Sequence, residues 1–174
     1  MNSRSHWTNP LVNFVKVNLV KVNLDGAIFP EENKSGVGVV DRDDKGLVLG
    51  SCTKHLAQAY SAVEVEAMVA ATALEFASKL CVRRVILEGD SLVVMKALHE
   101  DEQSLSPTGL LLEDVRFFSQ RFEELLYSRT KREGNVVAHS LARYANSIPD
   151  FSVWMEDVPP CIQIFVQADL AFVH

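Results

Sequence analysis

Three acidic side chains, Asp25, Glu66 and Asp90, fall at ends or edges of the elements expected from the sequence. Carboxylates crowded into one opening repel and raise one another's pKa, unless a hard cation such as Mg²⁺ neutralises them. Such a cluster would hold a divalent metal. Each residue also has a plainer explanation. Asp25-Gly26 reads equally as turn chemistry, Asp90 as the N-cap of a helix opening at Ser91, and Glu66 as a solvated helix charge. Glu64 is set apart, because Ser61 followed by Glu64 has the spacing of a capping box. Asp41, Asp43 and Asp44 read as residues of a hairpin tip.

The elements that must position the carboxylates follow from hydrophobic period. Residues 15–24 read VKVNL twice, each copy alternating as a half-buried strand does. The second copy, Val20 to Leu24, is assigned to the central strand because it adjoins Asp25-Gly26; the first extends it or forms a leader. Gly36 to Val40 reads as a second strand, its glycines marking a bulge or a close backbone approach, and Leu47 to Cys52 returns antiparallel after a turn at residues 43–46. From Ser61 the period changes, with Val65, Val69, Thr72, Phe76 and Leu80 forming the apolar stripe of a long helix. Val85 to Glu88 is a strand, Ser91 to Leu98 a short helix, Leu110 to Phe118 a helix, Glu123 to Ser128 the last strand and Val136 to Ala145 the last helix. With the fourth strand parallel to the first, their C-terminal ends open side by side, where α/β sheets place ligands. Glu66, one position off the apolar stripe and near the helix start, reaches the same opening.

A chain of 174 residues with 48% apolar content fits one ordinary domain. Cys52, Cys81 and Cys161 are far apart and odd in number, which indicates neither a disulfide framework nor a zinc site. The first residues lack the apolar run of a signal peptide, and no apolar stretch approaches the roughly 20 residues needed to cross a bilayer. A soluble intracellular protein, nuclear or cytoplasmic, is expected, with no membrane partner. The net charge of −6 argues against a generic electrostatic nucleic-acid binder. Residues 147–174 carry four of the acids and no Lys or Arg, however, which leaves the body at −2. Nucleic acid would have to be bound through a local patch and bridging metal. The final segment, with Phe151, Val153, Trp154 and the run Ile162 to Val166, reads as a short strand or arm covering the domain, or as a partner-binding tail; an exposed apolar strand invites aggregation, which favours packing.

Five runs taken together resemble the successive motifs of ribonuclease H-like domains. They are KVNLDGA at Lys21 to Ala27, Gly36 with Gly38, VEVEAMVAATALEFA, VILEGDS at Val85 to Ser91, and REGNVVAHSLAR at Arg132 to Arg143. More narrowly they resemble the type abundant in land plants and related to retroelement ribonuclease H. The resemblance covers residues 20–146, leaving 1–19 as an N-terminal leader and 147–174 as a C-terminal extension packing on the domain.

The resemblance implies an α/β, ribonuclease H-like fold: a five-stranded mixed sheet in the order 3-2-1-4-5, flanked by helices. It also implies a metal-ligand role for Asp25, Glu66 and Asp90, with two Mg²⁺ ions, or Mn²⁺ in their place, assisting endonucleolytic hydrolysis of the RNA strand of an RNA–DNA hybrid. The position where many active members carry a fourth carboxylate is His139, a residue that can ligate metal through neutral imidazole, position a water or merely pack, but that brings no negative charge. The loop before it, Thr130 to Gly134, lacks the mobile histidine of bacterial-type members; Lys131, Arg132 and Asn135 are the candidates for contacting nucleic acid. Residues His99 to Glu102 are acidic where a hybrid-gripping protrusion would be basic. These departures keep a second reading open, a weakly active or inactive module that binds nucleic acid or protein. His6, His55, His99 and His174 share no ligand-like spacing and read as surface residues.

Overall fold

The computed structural model describes residues 19–91, 94–96 and 107–173. The first VKVNL copy and the leader, apart from Leu19, half of the short helix expected from Ser91 to Leu98 and the acidic run His99 to Glu102 lie outside them. In chain order the described elements are β1 (Val20–Phe29), β2 (Lys34–Arg42), β3 (Val48–Leu56), α1 (Ala62–Lys79), β4 (Arg84–Gly89), α2 (Pro107–Ser119), β5 (Glu124–Arg129), α3 (Val136–Tyr144), β6 (Phe151–Met155) and α4 (Gln163–Val173). One mixed sheet runs β5-β4-β1-β2-β3-β6. The expected order of five strands is present within it. The sixth strand comes from the C-terminal segment, which pairs β6 antiparallel with β3 from Gly50↔Met155 to Lys54↔Phe151.

Two helical layers sandwich the sheet, so its central strands are buried on both faces. Val20, Val22 and Leu24 of β1, Val37 and Val39 of β2 and Val85 and Leu87 of β4 pack with Val65, Val69, Ala73 and Leu74 of α1 and with Leu112 and Val115 of α2. On the opposite face Val40 packs with Val137, Ala138 and Leu141 of α3 and with Val158 and Ile162 of the C-terminal segment. Gly36 and Gly38 let α3 approach this closely: a β-carbon at either would collide with the main-chain carbonyl of Ala142 or Ala138. Close approach, rather than a bulge, therefore accounts for these two glycines. The register irregularity of this hairpin lies at Asp41/Arg42 instead.

α1 starts as its sequence requires. The Ser61 side chain accepts from Glu64 N and the Glu64 side chain accepts from Ser61 N. The β2–β3 turn is closed by Asp43 Oδ1, which accepts from Lys45 N and Leu47 N, with Gly46 at φ +82°. The duplicated VKVNL resolves to the second copy in β1. A slip of one repeat would put Lys21 where Gly26 stands, and any β-carbon there runs into Val65 Cγ1, so packing against α1 pins the register.

Three expectations need correction. β1 does not end at Leu24; it runs through Asp25-Gly26 to Phe29, with Asp25 opposite Gly38 of β2, so no turn occurs there. Asp41 belongs to β2 rather than to the hairpin tip, and is fully buried on the face shared with Val37 and Val39. The run Ile162 to Val166 enters a helix, α4, tied to the sheet by Arg42 to Asp169 at 2.9 Å. Among the described residues no helix is long and apolar enough to cross a membrane.

Candidate metal centre

The parallel pairing of β1 with β4 runs from Val20↔Val85 to Asn23↔Glu88 and stops. Beyond that point the strands diverge, and the three acidic side chains gather at the opening. Asp25 stands on β1 and is 4% exposed; Glu66 comes from the start of α1 and is 9% exposed; Asp90, half-buried, directly follows β4. One ligand oxygen from each lies within 4.8 Å of the others. The Gly26 main-chain N–H is shared between Asp25 Oδ1 at 2.9 Å and Glu66 Oε1 at 3.0 Å, which couples the strand to the helix.

The structure departs from the plainer explanation of each residue. Asp25 is in mid-strand and takes no part in a turn. Ser91, not Asp90, supplies the capping oxygen, its Oγ accepting from Val94 N at 3.4 Å. Glu66 is buried rather than solvated, and its Oε2 has no hydrogen-bond partner among the described residues.

Electrostatics express the same crowding. Burial, then the nearby charges of Asp25 and Asp90, push the Glu66 carboxyl up to about 8. Burial and the charge of Asp90 also raise Asp25, against the opposing pull of its hydrogen bond to His139. Close oxygens, one of them buried without a donor, form the donor set that a hard divalent cation satisfies.

His139, in the first turn of α3, places Nδ1 2.7 Å from Asp25 Oδ2. It borders the cluster, but the converging set is the three carboxylates. Lys131 and Arg132 are exposed around the short 3₁₀ turn Arg132–Gly134 that leads into α3. Asn135, expected at the nucleic-acid surface, is instead 2% exposed, and its Nδ2 donates to the Leu24 carbonyl at 2.8 Å. Its amide is spent on the strand rather than presented at the surface. Sequence reading passed over Arg129, an exposed residue at the end of β5 whose Nε lies 3.5 Å from the Asp90 carbonyl. Its place in the basic run Arg129-Thr130-Lys131-Arg132, directly after the last strand of the parallel set, was the available signal. Of the other histidines only His55, on β3, is among the described residues.

A family model described as reverse transcriptase-like matches residues 23–145. No curated protein matches the chain in sequence. Among solved structures, the ribonuclease H1 of the halophilic archaeon Halobacterium salinarum is 22% identical with a TM-score of 0.68, covering 74% of this chain and 98% of its own. The N-terminal ribonuclease H domain of a Mycobacterium tuberculosis protein, solved as a fusion with maltose binding protein, is 21% identical with a TM-score of 0.67, covering 74% and 94%. A ribonuclease H1 designated LC11, solved in complex with an RNA/DNA hybrid, is 22% identical with a TM-score of 0.63, covering 72% and 95%. At these identities the likeness is one of fold, and it establishes a ribonuclease H-like fold for this chain.

Proposed function

The chain belongs to the reverse transcriptase-like family, and on that premise we propose that it is a divalent-metal-dependent endonuclease hydrolysing the RNA strand of RNA–DNA hybrids. The observation that carries this reading is the convergence of Asp25, Glu66 and Asp90 within 4.8 Å at the point where β1 and β4 part. Mg²⁺ or Mn²⁺ held there would supply the positive charge that activates a water and stabilises the phosphate and leaving oxygen of an in-line displacement.

The remaining chemistry belongs to the chain itself. Asp25 and Glu66 are oriented by the shared Gly26 N–H, so their oxygens are arranged before any ligand arrives. His139 holds Asp25 Oδ2 through its 2.7 Å contact and leaves Nε2 without a hydrogen bond among the described residues, available to a water or a phosphate oxygen. Arg129, whose Nε contacts the Asp90 carbonyl, and the exposed Lys131 and Arg132 that follow it in sequence would serve as the local basic patch that an acidic protein needs to meet a phosphate backbone. Selection of the RNA strand would rest on contacts to its 2′-hydroxyls.

A second reading, a binding module with weak cleavage, is favoured by the same His139. A histidine at the fourth corner leaves the site one negative charge short of four carboxylates. Cleavage of a labelled RNA–DNA hybrid with Mg²⁺ or Mn²⁺ separates the two. The nuclease reading expects wild-type activity that Asp25→Asn and Asp90→Asn both abolish. Equal signal in all three proteins would sink it, and hybrid binding without metal-dependent cleavage would establish the module instead.

A further inference from the structure

The parting of β1 and β4 leaves a main-chain problem that the metal reading does not address. A strand that loses its neighbour leaves carbonyls unpaired, and a buried carbonyl without a donor is costly. The last parallel pair is Asn23↔Glu88, and the next carbonyl along β1 is that of Leu24, the residue before Asp25. It accepts from Asn135 Nδ2 at 2.8 Å.

Asn135 occupies the N-cap of α3, yet its side chain makes no capping hydrogen bond. Capping is what asparagine ordinarily does at that position. Here the amide is directed across to the strand, while the main-chain carbonyl of the same residue accepts from His139 N at 3.0 Å. Leu24, Asn135, His139 and Asp25 thus form a closed circuit, completed by the 2.7 Å contact between His139 Nδ1 and Asp25 Oδ2. The Asn135 Oδ1 atom is buried and has no partner among the described residues. Turning the amide over would not relieve it, because two carbonyl-type oxygens would then face each other at Leu24. A side chain 2% exposed, with half its polar capacity unspent, is unfavourable for stability alone.

We propose that Asn135 is a positioning residue. By replacing the missing strand at the Leu24 carbonyl, it locks the start of α3 to β1 and so sets the spacing of His139 to Asp25 and the aim of the Asp25 carboxylate. It touches neither substrate nor metal. The inference rests on the metal-centre reading, but it also makes a claim about the metal-free protein.

The test compares the full chain with Asn135→Ala, which removes the donor, and Asn135→Asp, which keeps the shape but presents a second acceptor to Leu24. Val158→Ala, a truncation in the cluster beneath α3 that leaves the circuit intact, serves as the stability control. Two quantities are read: Mn²⁺ affinity by calorimetry, and by proton NMR the slowly exchanging resonance of the His139–Asp25 hydrogen bond without metal. Both Asn135 variants should lose the resonance and weaken Mn²⁺ binding by about 10-fold or more, the scale of losing a residue that orients a ligand. Val158→Ala should keep both. Should Asn135→Asp fail to fold, Asn135→Ala decides alone. An Asn135→Ala protein with the resonance intact and wild-type Mn²⁺ affinity would overturn the proposal. If the wild type binds no Mn²⁺, the metal reading falls, and the resonance still decides whether Asn135 holds the pair.

Discussion

Among the described residues two places bury carboxylates, and they do so with opposite consequences. At the mouth between β1 and β4, Asp25 and Glu66 are buried beside the half-exposed Asp90, share a main-chain donor and converge on a common point. In the middle of the sheet, Asp41 is 0% exposed, faces α1 alongside Val37 and Val39, and has no hydrogen-bond partner for either oxygen among the described residues. Burial raises the pKa at both places, well above the usual range at Asp41 and to about 8 at Glu66. The difference lies in company. A cluster that meets at one opening can be repaid by a cation; a lone carboxyl in a packed layer can only be neutralised by a proton.

The largest effect should come from Glu66→Gln. It keeps the oxygen that accepts from Gly26 but removes the charge, so Mn²⁺ affinity should fall by roughly 100-fold or more, measured by calorimetry, while the metal-free protein gains stability. A loss of both together would dissolve the contrast with Asp41. Next, Asp41→Val should stabilise the fold by about 1–3 kcal/mol in denaturant melts, through removal of an unsatisfied buried group, and leave hybrid cleavage unchanged.

The pH dependence separates the regions further. Asp25, Glu66 and Asp41 all have folded pKa values raised above their unfolded ones, so each contributes stability that is complete below the unfolded pKa and is lost as pH rises through the folded value. Chelated protein should therefore melt at progressively lower temperature from about pH 5 to about pH 9. Mg²⁺ should restore the share owed to the metal centre; Asp41→Asn should remove a share that Mg²⁺ cannot restore. A flat profile in chelator would contradict both assignments. The smallest effect belongs to the surface: Arg132→Ala should weaken hybrid binding modestly and reduce the slope of log affinity against log salt by about 1.

The contrast also explains what was legible in the sequence. Asp25, Glu66 and Asp90 could be picked out because each sits beside an element boundary or a change of period, and because five motifs occur in order. Asp41 could not, because VVDRDDKG reads as polar turn residues, and only the pairing of Asp41 with Val22 and Gly50 shows that β2 extends past it. The burial of Asn135 was hidden for a related reason: a polar residue before a helix looks exposed until the sheet splits beside it. β6 was legible only as one of several options, since its alternation gives Phe151, Val153 and Met155 to an exposed face and Trp154 to the packed one, against Tyr144. Which edge would receive that strand depends on long-range register, and no local pattern encodes it. The hairpin turn and the capping box, by contrast, are local chemistry, and both formed as written.

The central claim is that Asp25, Glu66 and Asp90 together hold a divalent cation. Crystals grown or soaked with Mn²⁺ test it most directly, by anomalous scattering. The account predicts a Mn²⁺ peak bonded to oxygens of all three carboxylates, absent from an Asp25→Asn crystal treated alike. Mn²⁺ found elsewhere on the protein, with this opening empty at saturating metal, would contradict it.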